Sequence, residues 1–170
     1  MADAMIRAIV IMGVSGVGKT TVAEALARHL GWPFSDSDIF HPPANVEKMR
    51  SGIPLTDDDR WSWLDRIAVE IDRHRTEDRG LVVACSALKR AYRRILTEGR
   101  ADVRLVYLQG DRALIMRRLA LRKGHYFPAN LLDSQFAALE EPLASEDALT
   151  VAADKPVDAI VDEIARRLGA

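Results

Sequence analysis

Eight residues near the start of the chain, Gly13-Val14-Ser15-Gly16-Val17-Gly18-Lys19-Thr20, lie between an apolar run and an amphipathic one. A glycine, four free positions and then Gly-Lys-Thr is the spacing of a phosphate-cradling loop. Ile6 to Met12 is apolar and β-branched apart from Arg7, which reads as a buried strand. From Thr20 to Leu30, residues Val22, Ala23, Leu26, Ala27 and Leu30 share one helical face. Strand, glycine loop and helix, in that order, point the backbone N–H groups of the loop at an anion on the positive end of the helix. Lys19 would then reach the β- and γ-phosphates of a nucleoside triphosphate, and the Thr20 hydroxyl would bind Mg²⁺.

The remainder of the chain keeps the same rhythm. Gly31 and Pro33 stop the first helix. A short strand over Trp32 to Ser35 ends at Asp36-Ser37-Asp38. Ala44 to Arg50 reads as a short helix. Thr56 caps a longer one running to about His74, with Trp61, Leu64, Ala68 and Ile71 on its stripe. Strands follow at Leu81 to Cys85, Val103 to Leu108 and Leu149 to Ala152. Helices are predicted over Leu88 to Leu96, from an Asp111 cap to Arg122, over Leu131 to Glu140, and at the end, where Val157, Ile160, Val161, Ile164 and Leu168 align. Five strands alternating with helices predict an α/β fold, a doubly wound five-stranded parallel sheet with helices on both faces. With 170 residues and no linker, one domain spans 1–170.

Composition narrows the partners. A net charge of −1 gives no global field toward nucleic acid or membrane, so an anion site has to be a local cluster. The single cysteine, Cys85, forms no internal disulfide and suits a reducing cytosol. No apolar run is long enough to span a bilayer and the first residues do not read as a signal peptide, so a cytoplasmic location is expected.

Ligands of such sheets bind beyond the carboxyl ends of the strands. The two later strands end in Cys85-Ser86 and Gln109-Gly110, without the magnesium-holding acid of many ATPases, and no Asn-Lys-x-Asp guanine-reading pattern is present. The acids sit on the second strand instead. In extended backbone, Asp36 and Asp38 would face the same side. One could support the Mg²⁺ shell while the other accepts a proton from a substrate hydroxyl. His41, before two prolines, stands in the same tip loop.

Two groups of cations follow. Lys48, Arg50, Arg60, Lys89, Arg93 and Arg94 fall just after strand tips, with room for a small anionic substrate. The acids Asp57 and Asp58 are accounted for by the dipole of the helix they begin. Arg112, Arg117, Arg118, Arg122 and Lys123, with His125, are either a solvated basic face or a mobile lid, over about 117–134, whose arginines close on transferring phosphates. Cys85 reads as a packed small hydrophobe, and at least one of Trp61 and Trp63 as core.

Taken together these blocks resemble the gluconate kinase (gluconokinase) family. The matching segments are the 13–20 loop, Asp-Ser-Asp-Ile-Phe-His-Pro at 36–42, Asn45 to Met49, Gly52 to Leu55 and Asp57 to Arg60. Cys85 to Lys89 with Tyr92-Arg93, Val106 to Leu108 with Gly110, Arg118-Leu119, Arg122 to His125, and Ser134 to Phe136 with Leu139-Glu140 complete the set. The resemblance implies a P-loop NTPase fold like that of nucleoside monophosphate and shikimate kinases, and ATP- and Mg²⁺-dependent phosphorylation of D-gluconate at its 6-hydroxyl. Carried onto matching positions, Gly13, Val14, Ser15, Gly16, Val17, Gly18, Lys19, Thr20 and Thr21 would hold ATP. Thr20, with Asp36 through water, would hold the metal, and Lys19, Asp38 and Arg122 would carry the transfer. Asp38, His41, Arg60, Lys89, Arg93 and Gln135 would line the gluconate pocket, with Arg118 on the nucleotide side of the lid. The family is commonly dimeric. Ser37 stands where the family more often has Gly, and Ser62 where it has Pro. Two other readings stay open on the residues alone: a kinase of the same fold for another hydroxy acid such as shikimate, and an ATP-binding regulatory module.

Overall fold

The computed structural model describes residues 5–121 and 129–170. Its strands are β1 (Ala8–Met12), β2 (Phe34–Asp36), β3 (Leu81–Ala84), β4 (Val103–Gln109) and β5 (Leu149–Ala152). Its α-helices are α1 (Lys19–Leu30), α2 (Pro43–Arg50), α3 (Asp57–Thr76), α4 (Arg90–Thr97), α5 (Arg112–Ala120), α6 (Ala129–Ala138) and α7 (Val157–Leu168). The strands form one sheet in the order β2-β3-β1-β4-β5, and every pairing is parallel. Chain direction across the sheet reverses at β1, so the crevice beyond its carboxyl end is the place where a ligand binds in such sheets.

The alternation of strand side chains divides the core in two. Ile9, Ile11, Val82, Ala84, Val106 and Leu108 pack with Val22, Ala23 and Leu26 of α1 and Ile160, Val161 and Ile164 of α7. Ala8, Val10, Met12, Leu81, Val83, Leu105 and Tyr107 pack on the other face with Leu64, Ile67 and Ile71 of α3 and Tyr92 and Leu96 of α4. Every residue of β1 is buried, which is why that segment reads as a continuous apolar run rather than an alternating one. Among the described residues, no helix is long and apolar enough to cross a membrane.

Local chemistry sets the helix ends. Gly31, in the left-handed region, returns its N–H to Ala27 and Arg28. Thr56 and Asp59 form a reciprocal capping box at the start of α3. The Asp111 side chain accepts from the Leu114 N–H at 2.8 Å.

Two expectations shift. The second strand begins at Phe34 rather than Trp32, because the Trp32 ring lies over Gly80, where a Cβ would come within 2.1 Å of it. The buried stripe of α3 runs through Trp63, Leu64, Ile67, Ala68, Ile71 and His74, leaving Trp61 half-buried and edge-on to Tyr92. The stripe contains Trp63 because its indole N–H finds a buried acceptor, the Ser37 carbonyl, at 2.7 Å.

Candidate active site

The loop between β1 and α1 bends through backbone that suits glycine. Gly18, with φ 103°, opens α1, a region that costs other residues strain. At Gly13 an added Cβ would stand 2.9 Å from Val17 Cγ1 and 3.0 Å from the Leu108 carbonyl oxygen, so the loop closes on the tip of β4 only without a side chain. Lys19 folds back beneath the loop, its Nζ donating to the Val14 carbonyl at 3.0 Å. Burial there pulls its pKa down to about 8, against the attraction of Asp38 and Asp36. The Thr20 hydroxyl donates to Asp36 Oδ2 at 3.2 Å, which joins the first turn of α1 to the end of β2.

On the facing side, Asp36 and Asp38 are not related by extended backbone as expected. β2 ends at Asp36, and Ser37–Phe40 forms a 3-10 turn capped by the Asp36 side chain, whose Oδ1 accepts the Asp38 N–H at 2.9 Å. Asp36 thus reaches Thr20 with one oxygen and orients Asp38 with the other. Burial, and then the charge of Asp36, raise the pKa of Asp38, which makes it a stronger base than a free carboxylate. The turn is anchored to α3 by the bond from Trp63 to Ser37, and the His41 ring stacks on Trp63 with centroids 4.5 Å apart. Cys85, at the tip of β3, is buried, and burial pushes its thiol up to about 11. It is a packed side chain without nucleophilic character.

The cations form a second wall. Arg60 donates to the Tyr92 hydroxyl at 3.0 Å, and Lys89 reaches the two Asp57 oxygens at 2.9 and 3.1 Å. Tyr92 also donates to Asp57. Asp57 therefore does more than complement a helix dipole: its hydrogen bonds from Tyr92 and Lys89 hold its own pKa low. On the other flank, Lys48 pairs with both oxygens of Asp59 at 2.9 Å.

A phosphate-facing lysine and hydroxyl thus stand opposite a raised-pKa carboxylate, beside a wall of paired cations. Comparison with known proteins supplies the rest. Residues 15–169 match the family model for shikimate kinase. The chain is 44% identical to a gluconokinase of Gluconobacter oxydans over 164 residues, covering 96% of this chain and 92% of that one. The thermoresistant gluconokinase of Escherichia coli is 44% identical over 153 residues, covering 89% and 87%. The chain belongs to the gluconokinase family. The crystal structure of a gluconokinase from Sinorhizobium meliloti superposes with a TM-score of 0.83 at 39% identity, over 96% of this chain and 95% of that one.

Of the gluconokinase residues expected from the sequence, the structure brings together the 13–21 loop, Asp36, Asp38 and His41, with Arg60 and Lys89 joined through Tyr92 and Asp57. Two others go elsewhere. Gln135 lies against the phosphate loop, its Oε1 accepting from the Ser15 N–H and hydroxyl at 3.2 Å. Arg93 is 1% exposed. It pairs with Glu146 at 2.6 and 3.1 Å and donates to the Ala87 and Leu88 carbonyls at 3.0 Å. It is a strut under the loop that carries Lys89, where Ala87 adopts a left-handed φ of 44°. Arg118 donates to the Val17 and Ala153 carbonyls, tying α5 to the phosphate loop and to the end of β5. Arg122, Lys123 and His125 lie outside the described residues, as does the centre of the expected 117–134 lid. Arg50 and Arg94 pair with Glu47 and Glu98 on their own exposed helix faces.

The Arg93 pair carries a stability prediction. Burial of Glu146 raises its pKa, but the Arg93 bonds outweigh this and hold it ionised. Removing one member of a buried pair strands the other charge, so Glu146→Gln is expected to lower unfolding free energy by about 3 kcal/mol in urea titrations. A loss under about 1 kcal/mol would mean that the Arg93 charge is compensated elsewhere.

Residues whose contacts the sequence did not single out are Tyr92, Asp57 and Asn45. Tyr92 and Asp57 were visible only as parts of longer blocks. Asn45 is 4% exposed, a buried amide whose partners come from two other elements.

Proposed function

We propose that this chain phosphorylates D-gluconate, passing the γ-phosphoryl group of ATP to the 6-hydroxyl. The observation that carries the reading is Asp38, a carboxylate of raised pKa held opposite the phosphate loop by Asp36, in a chain 44% identical to gluconokinases. In the transfer, the bond from the sugar oxygen to phosphorus forms as the bond from phosphorus to the β–γ bridging oxygen breaks. The hydroxyl proton passes to Asp38, and ADP leaves. Residues 13–21 cradle the phosphates and Lys19 balances charge on the transferring group, with Arg122 as the second cation assigned to that charge. His41, Arg60 and Lys89 receive the hydroxyls and carboxylate of gluconate. Gln135 and Arg118 act from the nucleotide side, by their bonds to Ser15 and Val17.

The residues fit Mg²⁺ bound with ATP. Among the described residues, none form a cage of three or more His, Cys, Asp or Glu ligands, and what α1 and β2 offer is one hydroxyl and one carboxylate. That donor set suits an ion that keeps waters and takes phosphate oxygens. Thr20 would hold it directly and Asp36 through water. Held there, the ion would offset negative charge on the phosphates during the transfer.

A cytoplasmic location and a homodimer complete the reading. They are supported by the buried, unpaired Cys85 and by the exposed apolar side chains of Ile39, Met49 and Ile53, which a second copy would cover. The match to the shikimate kinase model keeps one rival in view. ADP release with MgATP, measured across gluconate, other aldonates, shikimate and nucleoside monophosphates, decides between them. Turnover dependent on gluconate is expected. Turnover with shikimate and none with gluconate would replace the reading.

A further inference from the structure

The role of His41 depends on which ring nitrogen carries its hydrogen, and the structure answers this through Asn45. The Asn45 amide nitrogen lies 2.8 Å from the Asp59 carbonyl oxygen and 3.3 Å from His41 Nδ1. A carbonyl only accepts, so the atom facing it is the NH₂ group of the amide, with two hydrogens to give. One goes to Asp59. The other points at His41 Nδ1, which must then be a bare lone pair. Neutral His41 carries its hydrogen on Nε2, and protonating Nδ1 would set one N–H against another.

The surroundings hold that arrangement. One face of the ring lies on Trp63, with the planes 11° apart. Trp63 is itself tied to the Ser37 carbonyl, and Asn45 is buried, so neither neighbour turns freely. Nε2 has no hydrogen bond to protein among the described residues and is not buried, which leaves it for a ligand. The charged groups around the ring are Asp38 on its own turn, Arg60 on α3, and the Lys48–Asp59 pair between α2 and α3. Burial, with Arg60 adding and Asp38 opposing, lowers the pKa of His41, in the direction the Asn45 bond also favours.

We propose that Asn45 is a positioning residue that fixes His41 as the neutral Nε2–H tautomer, giving the acceptor pocket one N–H donor that selects a substrate oxygen lone pair. The placement of His41 in an acceptor pocket rests on the gluconate reading; the tautomer does not.

The test is a two-bond ¹H–¹⁵N spectrum of the whole protein, with His41 assigned among the four histidines by the signal lost in His41→Phe. In the wild type at neutral pH, Nδ1 is expected to be unprotonated and Nε2 protonated. Asn45→Ala should mix the tautomers, and Asn45→Asp, whose carboxylate accepts from Nδ1–H, should move the hydrogen to Nδ1 and raise the His41 pKa. Asn45→Asp should raise the KM for gluconate about tenfold, one hydrogen bond's worth, with the KM for ATP within about twofold. A wild-type spectrum with Nδ1 protonated overturns the proposal without recourse to a variant. So does a tautomer ratio unchanged in Asn45→Ala. A correct tautomer whose signals do not move when gluconate saturates a turning-over enzyme overturns the donor role of Nε2. A correct tautomer in a protein that never turns over gluconate would sink the functional reading instead, leaving the role of Asn45 as the anchor of the ring in place.

Discussion

Lys19→Ala is expected to lower kcat for gluconate-dependent ADP release by about a hundred- to a thousandfold, the scale of losing one preorganised charge-stabilising donor. The ammonium already lies under the phosphate loop at 3.0 Å from the Val14 carbonyl, partly stripped of water. A cation in that position gains more from developing negative charge than one in bulk solvent, because the desolvation cost was met on folding. Alanine leaves a gap that water fills, and water reorganises during the transfer. The change removes a single hydrogen bond to the loop, so the thermal midpoint should move by only a few degrees. Both quantities come from one preparation, by steady-state kinetics and a melting curve. A loss of kcat below tenfold in a normally folded variant would mean that the loop does not face the transferring group.

Asp38→Asn is expected to reduce kcat by about a hundred- to ten-thousandfold while the KM for ATP stays within about twofold. Asparagine keeps the shape and can still meet a hydroxyl, but it has no lone pair basic enough to take the proton. The stability readout separates chemistry from damage. Because the folded-state pKa of Asp38 is raised by burial and by Asp36, its ionised form costs stability at neutral pH. That cost grows as pH rises through the ordinary carboxylate range. The neutral variant escapes it, so at pH 7 the protein should melt no lower than wild type. An unchanged kcat would remove Asp38 from its assigned role. A much lower melting temperature would mean that the carboxylate is a structural ligand of the 3-10 turn.

The reach of the sequence follows from what each residue touches. β1, β3 and β4 were legible because burial on both faces demands an uninterrupted apolar run. β2 was blurred because it is a three-residue edge strand whose side chains are only half-buried, and Trp32 beside it packs on Gly80 rather than pairing. The phosphate loop was legible because close approach of backbone to an anion leaves few choices besides glycine. Asp38 was singled out by its position at a strand tip, although the geometry that orients it is a capped turn and not a pleat. Arg93 shows the limit. Composition near a strand tip says that a cation is present, but not which way a long side chain turns, and Glu146 lies 53 residues away in sequence. Asn45 entered only as part of the 45–49 block, for a related reason. One amide in a short helix has no periodicity to betray it, and both of its partners are set by tertiary contact.

Asp57 has a consequence for how an acidic sugar is admitted. Lys89 and Tyr92 are already occupied by a carboxylate of the protein, with Arg60 bonded to the same phenol. On the proposed reading, an incoming anion meets an ion exchanger rather than an empty positive socket. What counts is the difference between two carboxylates, one tethered and one free. Such a trade leaves the local charge nearly balanced before and after, so affinity should respond to added salt far less than two exposed cations on their own would suggest.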